Sequence, residues 1–549
     1  MIRSAHVDGF ARDSLPPPVQ WPDFLFALPE LRYPERLNCV TELVDRWIAA
    51  GRGGEPCLLS IAENLSYAEL AERVNRIANV LTRDLALVPG DRVLLRAPNN
   101  PMMAAACLAV IKAGGVVVAT MPLLRAKEIG YPLAKAKIRF ALCDARLADE
   151  MEKAKAAAPA LDRVVYWGSR APGGGLEALM NKPGYEMFAA CDTASDDVCL
   201  IGFTSGTTGE PKGTMHFHRD MLATCDSYGR HVLRPGPSDR FIGSPPIGFT
   251  FGLGGLVLFP LRVGASSVLL ERATPDDLAT AIALWRPTIM FTAPTAYRAM
   301  LSKIGQHDIT SLRKCVSAGE ALPKGTFDAW HAATGLTIMD GIGATEMLHI
   351  FIASPEEDIR PGATGKVVPG YEAKVIDENG REVEPGTVGR LAVRGPTGCR
   401  YLADERQRKY VQNGWNVTGD TYLMDADGFF WYQARSDDMI ISAGYNIAGP
   451  EVEAVLLEHP AVAECGVVAA PDAERGHIVK AYVVLRAEQT GDTAMTRVLQ
   501  EHVKETIAPY KYPRAIEYVT TLPRTETGKL QRFALRQLAA QAAGHKLAS

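Results

Sequence analysis

Apolar and polar positions alternate along most of this chain with the rhythm of short buried strands between helices. Val93-Leu-Leu-Arg-Ala97 predicts a strand. Pro101 to Ala113 predicts a helix, with proline early in its first turn and Gly114 after its end. Val116 to Ala119, Phe140 to Cys143 and Val164 to Tyr166 continue as strands. The apolar run Val198 to Phe203 predicts another buried strand, and Asp220 to Cys225 the start of a helix. The rhythm resumes with Thr288 to Thr292, which feeds a helix from Pro294, and with Leu312 to Val316, which ends at Ser317-Ala-Gly-Glu320. Repeated βαβ units imply a mostly parallel sheet covered by helices.

Near residue 360 the period changes. Ala373 to Asp377, a turn at Glu378-Asn-Gly380, and Gly389 to Arg394 predict antiparallel hairpins in a small β unit over about 360–430. The final ~110 residues, a usual domain size, predict a compact α+β unit. It has a helix at Pro450 to Glu458, strands at Glu464 to Ala469 and Val479 to Leu485, and a helix at Thr493 to Thr506. Residues 1–38, rich in proline and aromatics, predict an arm on a domain surface.

Composition narrows the class. The 549 residues carry a formal net charge of −4, with 22% charged and 47% hydrophobic residues. No broad basic field exists to bind nucleic acid. The ten cysteines are scattered without a C-x-x-C pair, and suit reduced, buried thiols of a cytoplasmic protein. The first residues carry charges and no apolar core, unlike a signal peptide. The uncharged run Phe241 to Leu261 holds three prolines and five glycines, which argues for buried loop, strand and helix over a membrane span.

Candidate chemistry concentrates in five stretches. Phe203-Thr-Ser-Gly-Thr-Thr-Gly-Glu-Pro-Lys-Gly213 lies between a strand and a helix. Its glycines let backbone N–H groups turn toward an anion, and its hydroxyls and Lys212 add donors and charge. It is not a Walker A loop, because Lys212 follows Pro211 and precedes Gly213. Asp340-Gly-Ile-Gly-Ala-Thr-Glu346 follows an apolar run, at the carboxyl end of a strand where α/β sheets hold ligands. Thr345 suits a hydrogen bond to an α-phosphate, and Glu346 suits Mg²⁺ as a hard oxygen ligand. Thr418-Gly-Asp420 supplies a carboxylate for two ribose hydroxyls, and Arg435 a cation for ribose or phosphate. The remaining stretches are Ala434-Arg-Ser-Asp-Asp-Met-Ile-Ile-Ser-Ala-Gly-Tyr-Asn446 and Pro523-Arg-Thr-Glu-Thr-Gly-Lys529. No Ser/His/Asp triad stands out.

In this order the five stretches resemble the AMP-forming adenylating superfamily of acyl-CoA ligases, luciferases and peptide-synthetase adenylation domains. Ala434 stands where the family pattern has glycine. The resemblance implies an α/β fold. Its large N-terminal domain, 1–436, has two doubly wound subdomains and a small β-barrel-like one. Its small mobile α+β domain, 437–549, is hinged at Asp437. It implies phosphate binding by Thr204, Ser205, Gly206, Thr207, Thr208 and Gly209. It implies nucleotide contacts at Gly319, Glu320, Ala321, Asp340, Gly341, Asp420 and Arg435. Thr345, Glu346, Lys212 and Lys529 become the catalytic set. Lys529 reaches the carboxylate and α-phosphate, Lys212 escorts the leaving phosphates, and Ala443, Gly444 and Tyr445 line a thiol tunnel. The implied partners are ATP, Mg²⁺ and coenzyme A, with no membrane or nucleic acid, in a monomer or homodimer.

Two further stretches bear on the acid. Ile247-Gly-Phe-Thr-Phe-Gly-Leu-Gly254 and Met347-Leu-His-Ile-Phe351 offer rings, glycines and one histidine. Phe249, Phe251, Gly252, Gly343, His349 and Ile350 suit a flat slot for a benzene ring with one polar handle. These segments resemble the benzoate-CoA ligase group, and the arm from Phe10 to Arg36 is more similar to 2-aminobenzoate-CoA ligases. The resemblance therefore implies an aryl-CoA ligase for 2-aminobenzoate, with benzoate or another substituted benzoate as the alternative. An enzyme that loads an aryl group onto a separate carrier protein is the alternative of another class.

Overall fold

The computed structural model describes residues 3–204, 211–435, 438–442, 445–472, 476–507, 509–525 and 528–547. Two α/β sheets make up most of it. The first has six strands in the spatial order Arg163–Trp167, Phe140–Asp144, Arg92–Arg96, Val116–Thr120, Val198–Phe203 and Gly213–Phe217. All neighbours are parallel except the last pair, the hairpin that carries the phosphate loop. Arg92–Arg96 is buried along its whole length, as a central parallel strand covered on both faces requires.

The second sheet has nine strands. Its centre is parallel, with Ile338–Gly343, Lys314–Ser317, Ile289–Thr292, Arg240–Gly243, Ser266–Val268 and Pro56–Leu59 side by side. Antiparallel strands close both edges. The predicted strands at Thr288 to Thr292 and Leu312 to Val316 sit here, within two residues of expectation. The uncharged run Phe241 to Leu261 is strand Arg240–Gly243, a Pro245-Pro246 turn, and helix from Thr250 onward. Among the described residues no helix is long and apolar enough to cross a membrane.

The change of period near residue 360 marks a five-stranded antiparallel sheet. Glu372–Ile376 pairs with Val388–Arg394, which pairs with Trp415–Met424, which pairs with Phe430–Arg435. Residues beyond 438 build their own cores. One lies under helices Gly449–Glu458 and Thr493–Thr506, the other under helix Arg532–Leu547, on a sheet of Val462–Asp472, Gly476–Leu485 and Ala515–Tyr518.

The arm does more than lie on one surface. Ser4 and Arg12 bond Asp197 beside the first sheet. Phe24 bridges Gly395, and Asp23 pairs with Arg394 at 2.9 Å, on the antiparallel sheet. Ala11 and Leu31 are fully buried. The proline-rich segment thus straps two layers together.

Candidate active site

The phosphate-loop hairpin and the acidic motif come from different sheets and meet directly. Thr345 lies against Gly202, where an added Cβ would stand 2.9 Å from the Thr345 methyl. His216, on the returning strand, donates from Nε2 to the Thr345 carbonyl at 2.8 Å. Its Nδ1 faces Asp220 at 3.5 Å, and Asp220 pairs with the fully buried Arg400. Burial is the largest influence and works to raise the Asp220 pKa, but the Arg400 guanidinium, His216 and Arg219 together hold the carboxyl below its usual range. A buried ionic chain therefore fixes the backbone from which Thr345 and Glu346 project.

Glu346 is buried, on a single helical turn Thr345–Met347. Tyr401 donates its hydroxyl to Glu346 Oε1 at 2.5 Å. Lys212 donates to the same hydroxyl at 2.8 Å and lies 3.4 Å from Glu346 Oε1. Burial, then the Glu346 charge, push the Tyr401 pKa up, so the phenol stays protonated and donates. Lys212 also closes the loop at its base, since the Thr204 N–H bonds the Lys212 carbonyl at 3.0 Å. This lysine is held by Tyr401 and Glu346.

Lys529 enters from the C-terminal unit. Its Cε stands 3.8 Å from where a Gly319 Cβ would lie, so it docks on Ser317-Ala-Gly-Glu320 at the carboxyl end of strand Lys314–Ser317. Glu320 is raised above its usual pKa by burial, against the pull of Arg524, Lys529 and Arg532. Asp340 is also raised by burial, and its Oδ1 has no hydrogen-bond partner. The backbones of Asp420 and Arg435 lie opposite each other in the antiparallel register. Gly341 packs on Ile350, where an added Cβ would stand 2.9 Å from Cγ2. Ala321 continues from Glu320 toward helix Lys324–Thr334.

The expected aryl region forms around His349. Its ring lies among Phe259 (4.6 Å between centroids), Tyr228 (5.6 Å), Phe251 (5.7 Å) and Phe291 (6.3 Å). Such approach needs glycine. A Cβ on Gly254 would stand 2.2 Å from His349 Cδ2, and one on Gly343 2.9 Å from the His349 carbonyl carbon. His349 Nε2 donates to the Phe251 carbonyl at 3.4 Å, which leaves Nδ1 as an acceptor, and Nδ1 has no partner. Ile350 and Gly252 are sealed in the core, Gly252 against the Pro246 carbonyl. Phe249 caps the helix from Thr250 and takes no part in the described ring pairs around His349.

Burial lowers the His349 pKa to about 3. The unfolded value near 6.5 is higher, so acid favours the unfolded chain, and stability present above about pH 6.5 is lost as pH falls toward 3. From pH 7 to 5 this single group costs about 2 kcal/mol. Urea melts at both pH values, with His349→Gln as reference, check it, and the variant will show the smaller acid loss.

Ser205, Gly206, Thr207, Thr208, Gly209, Asp437, Ala443 and Gly444 lie outside the described residues. Arg435 and Tyr445 are placed only as backbone, in strands Phe430–Arg435 and Tyr445–Ile447. Sequence reasoning missed Tyr228, Phe259, Phe291, His216, Arg400 and Tyr401. One signal pointed to Phe291. Gly254-Gly255 marks a helix face against rings, Gly254 on His349 and Gly255 on Phe291, 2.7 Å from an added Cβ.

Residues 45–401 match the AMP-binding enzyme family, and residues 451–529 match its C-terminal domain. The chain belongs to this family. Benzoate–CoA ligase of Thauera aromatica is 38% identical over 514 residues, 92% of this chain and 97% of that protein. The crystal structure of the anthranilate CoA ligase AuaEII in complex with anthranoyl-AMP superposes with a TM-score of 0.90 at 36% identity, covering 94% of this chain and all of that one. A benzoate CoA ligase from Burkholderia xenovorans LB400 superposes at 0.83 with 32% identity, covering 91% and 100%. Family and fold thus agree with the motif order. Among the described residues, the base of the phosphate loop, the acidic motif and Lys529 come from two sheets and the C-terminal unit.

Proposed function

We propose that this chain is an ATP-dependent aryl-CoA ligase acting on 2-aminobenzoate. The acid's carboxylate attacks the α-phosphorus of ATP, giving aryl-AMP and pyrophosphate, and the thiol of coenzyme A then displaces AMP. Displacement at phosphorus concentrates negative charge, so catalysis rests on positioned donors and cations. Lys529 supplies the cation beside Gly319, and Thr345 a hydroxyl on a fixed backbone. Glu346, a buried carboxylate beside a threonine hydroxyl, is a hard oxygen donor set that fits Mg²⁺. That ion would neutralise charge on the phosphate oxygens when bound. Asp340 Oδ1, buried without a partner, suits a donor from the nucleotide base. For thioester formation the C-terminal unit, 437–549, swings about Asp437, withdraws Lys529, and brings the Ala443-Gly444-Tyr445 segment to the thiol.

One observation carries the choice of acid. His349 Nδ1 and the Tyr228 hydroxyl are both buried and unpartnered within one cluster of rings. Buried polar atoms without partners cost about 1–3 kcal/mol each. A ring amino group both donates to such atoms and fits between aromatic walls, whereas benzoate leaves them unpaired. The anthranoyl-AMP complex of the similar structure supports the same reading.

The test is the ratio of kcat/KM for 2-aminobenzoate over benzoate. In the unaltered protein it is expected to exceed one, and Tyr228→Phe is expected to lower it about tenfold, the order of one buried hydrogen bond. An unaltered ratio in the variant would remove the Tyr228 hydroxyl from substrate choice. A wild-type ratio below one would favour benzoate itself.

A further inference from the structure

A second cluster of chemistry-bearing side chains lies behind the phosphate-loop hairpin, away from the nucleotide motifs. The sulfurs of Cys39 and Cys199 and a ring nitrogen of His218 all lie within 4.8 Å of one another. We infer that these three residues form a binding site for a thiophilic d¹⁰ cation, Zn²⁺ or Cu⁺, at the base of that hairpin.

The three ligands converge from separate parts of the chain. Cys39 follows the arm. Cys199 is on strand Val198–Phe203, and His218 opens the helix that follows strand Gly213–Phe217. The register shifts between Val198 and Leu200, so Cys199 sits at a bulge. A bulge takes a side chain out of the strict alternation of a strand and re-aims it. Val198 pairs with Phe217 across the hairpin, so Cys199 and His218 are the residues next to its closing pair. The Cys39 N–H lies 3.3 Å from His218 Nδ1, so the end of the arm meets the same ring; binding of an ion through Nε2 moves the ring proton to Nδ1 and gives up this contact.

Ligand chemistry and spacing agree. Cation–sulfur bonds of about 2.3 Å and cation–nitrogen bonds of about 2.0 Å set ligand atoms roughly 3.5–4 Å apart, so the separations here need little adjustment. Thiolate and imidazole together select soft d¹⁰ ions over Mg²⁺ or Ca²⁺. All three side chains are fully buried, and His218 Nε2 has no hydrogen-bond partner. Charge favours occupation as well. Two thiolates balance Zn²⁺, and one thiolate balances Cu⁺, so each site is neutral in apolar surroundings where a net charge would be costly. Among the described residues the group has no fourth side-chain ligand. That suits three-coordinate Cu⁺, or Zn²⁺ with one water. Because the cluster is sealed, the ion enters as the chain folds rather than by later exchange. It would staple the arm to both roots of the phosphate-loop hairpin without touching substrate.

The full-length protein, produced with added Zn²⁺ in one arm and Cu⁺ under reducing conditions in another, then dialysed against chelator, tests this. Mass spectrometry of the metal is expected to give about one ion per chain in one arm. X-ray absorption is expected to show two sulfurs at about 2.3 Å plus nitrogen. The double variant Cys39→Ser/Cys199→Ser should lose at least tenfold of the metal, while Cys107→Ser keeps it. Negligible metal in both arms, an absorption shell of nitrogen and oxygen alone, or full retention by the double variant would overturn the site. If the double variant does not fold, the absorption spectrum of the unaltered protein decides.

Discussion

Lys529→Ala will lower ATP–pyrophosphate exchange about 100- to 1,000-fold, the usual cost of removing one preorganised charge from a phosphoryl-transfer site. Thioester formation from supplied aryl-AMP and coenzyme A will stay within about threefold if, as proposed, Lys529 acts in the first half-reaction only. Lys529 reaches the site through its turn, where Thr525 bonds the Lys529 backbone at both ends, at 2.7 and 3.1 Å. Alanine keeps this turn and removes only the side chain that docks on Gly319. Equal loss in both half-reactions would contradict a C-terminal unit that exchanges Lys529 for the thiol-tunnel segment between steps.

Glu346→Gln will cost a similar factor, about 100-fold or more in kcat for adenylation. The amide keeps shape but loses the charge that faces Lys212 at 3.4 Å and would hold Mg²⁺. Tyr401→Phe separates positioning from charge. It leaves Glu346 and Lys212 in place but removes the hydroxyl that bonds both, at 2.5 and 2.8 Å. About a tenfold fall in kcat is expected, the worth of one charge-assisted hydrogen bond. The Mg²⁺ concentration for half-maximal rate will rise in both variants, which a purely structural role for Tyr401 would not produce. Steady-state kinetics at varied Mg²⁺ reads both effects.

The nucleotide half of this site is legible in the sequence because its parts are contiguous. Thr204 and Lys212 lie in one loop, Asp340 to Glu346 on one strand end, and Asp420 opposite Arg435 in one hairpin. The resemblance of these short stretches to the superfamily's motifs is what makes them legible. Tyr401 and Arg400 were not legible, because nothing near residue 400 in the sequence says that this segment crosses behind strand Gly213–Phe217. The acid half was half legible. The glycines of Phe249 to Gly255 and the histidine at 349 pointed to a ring slot. Phe291 and Tyr228 come from a strand and a helix more than fifty residues before His349, and only the tertiary fold brings them together. The arm shows the same limit. Its prolines and aromatics forecast an arm on a domain surface, but its second anchor, at Gly395, is a property of the tertiary fold.

AMP release with a panel of substituted benzoates and medium-chain fatty acids, with and without coenzyme A, tests the central claim most directly. The account predicts turnover that requires coenzyme A, with 2-aminobenzoate giving the highest kcat/KM and alkyl acids at least tenfold lower, the discrimination that a ring-lined pocket provides. Turnover without coenzyme A, or preference for alkyl acids, would contradict it.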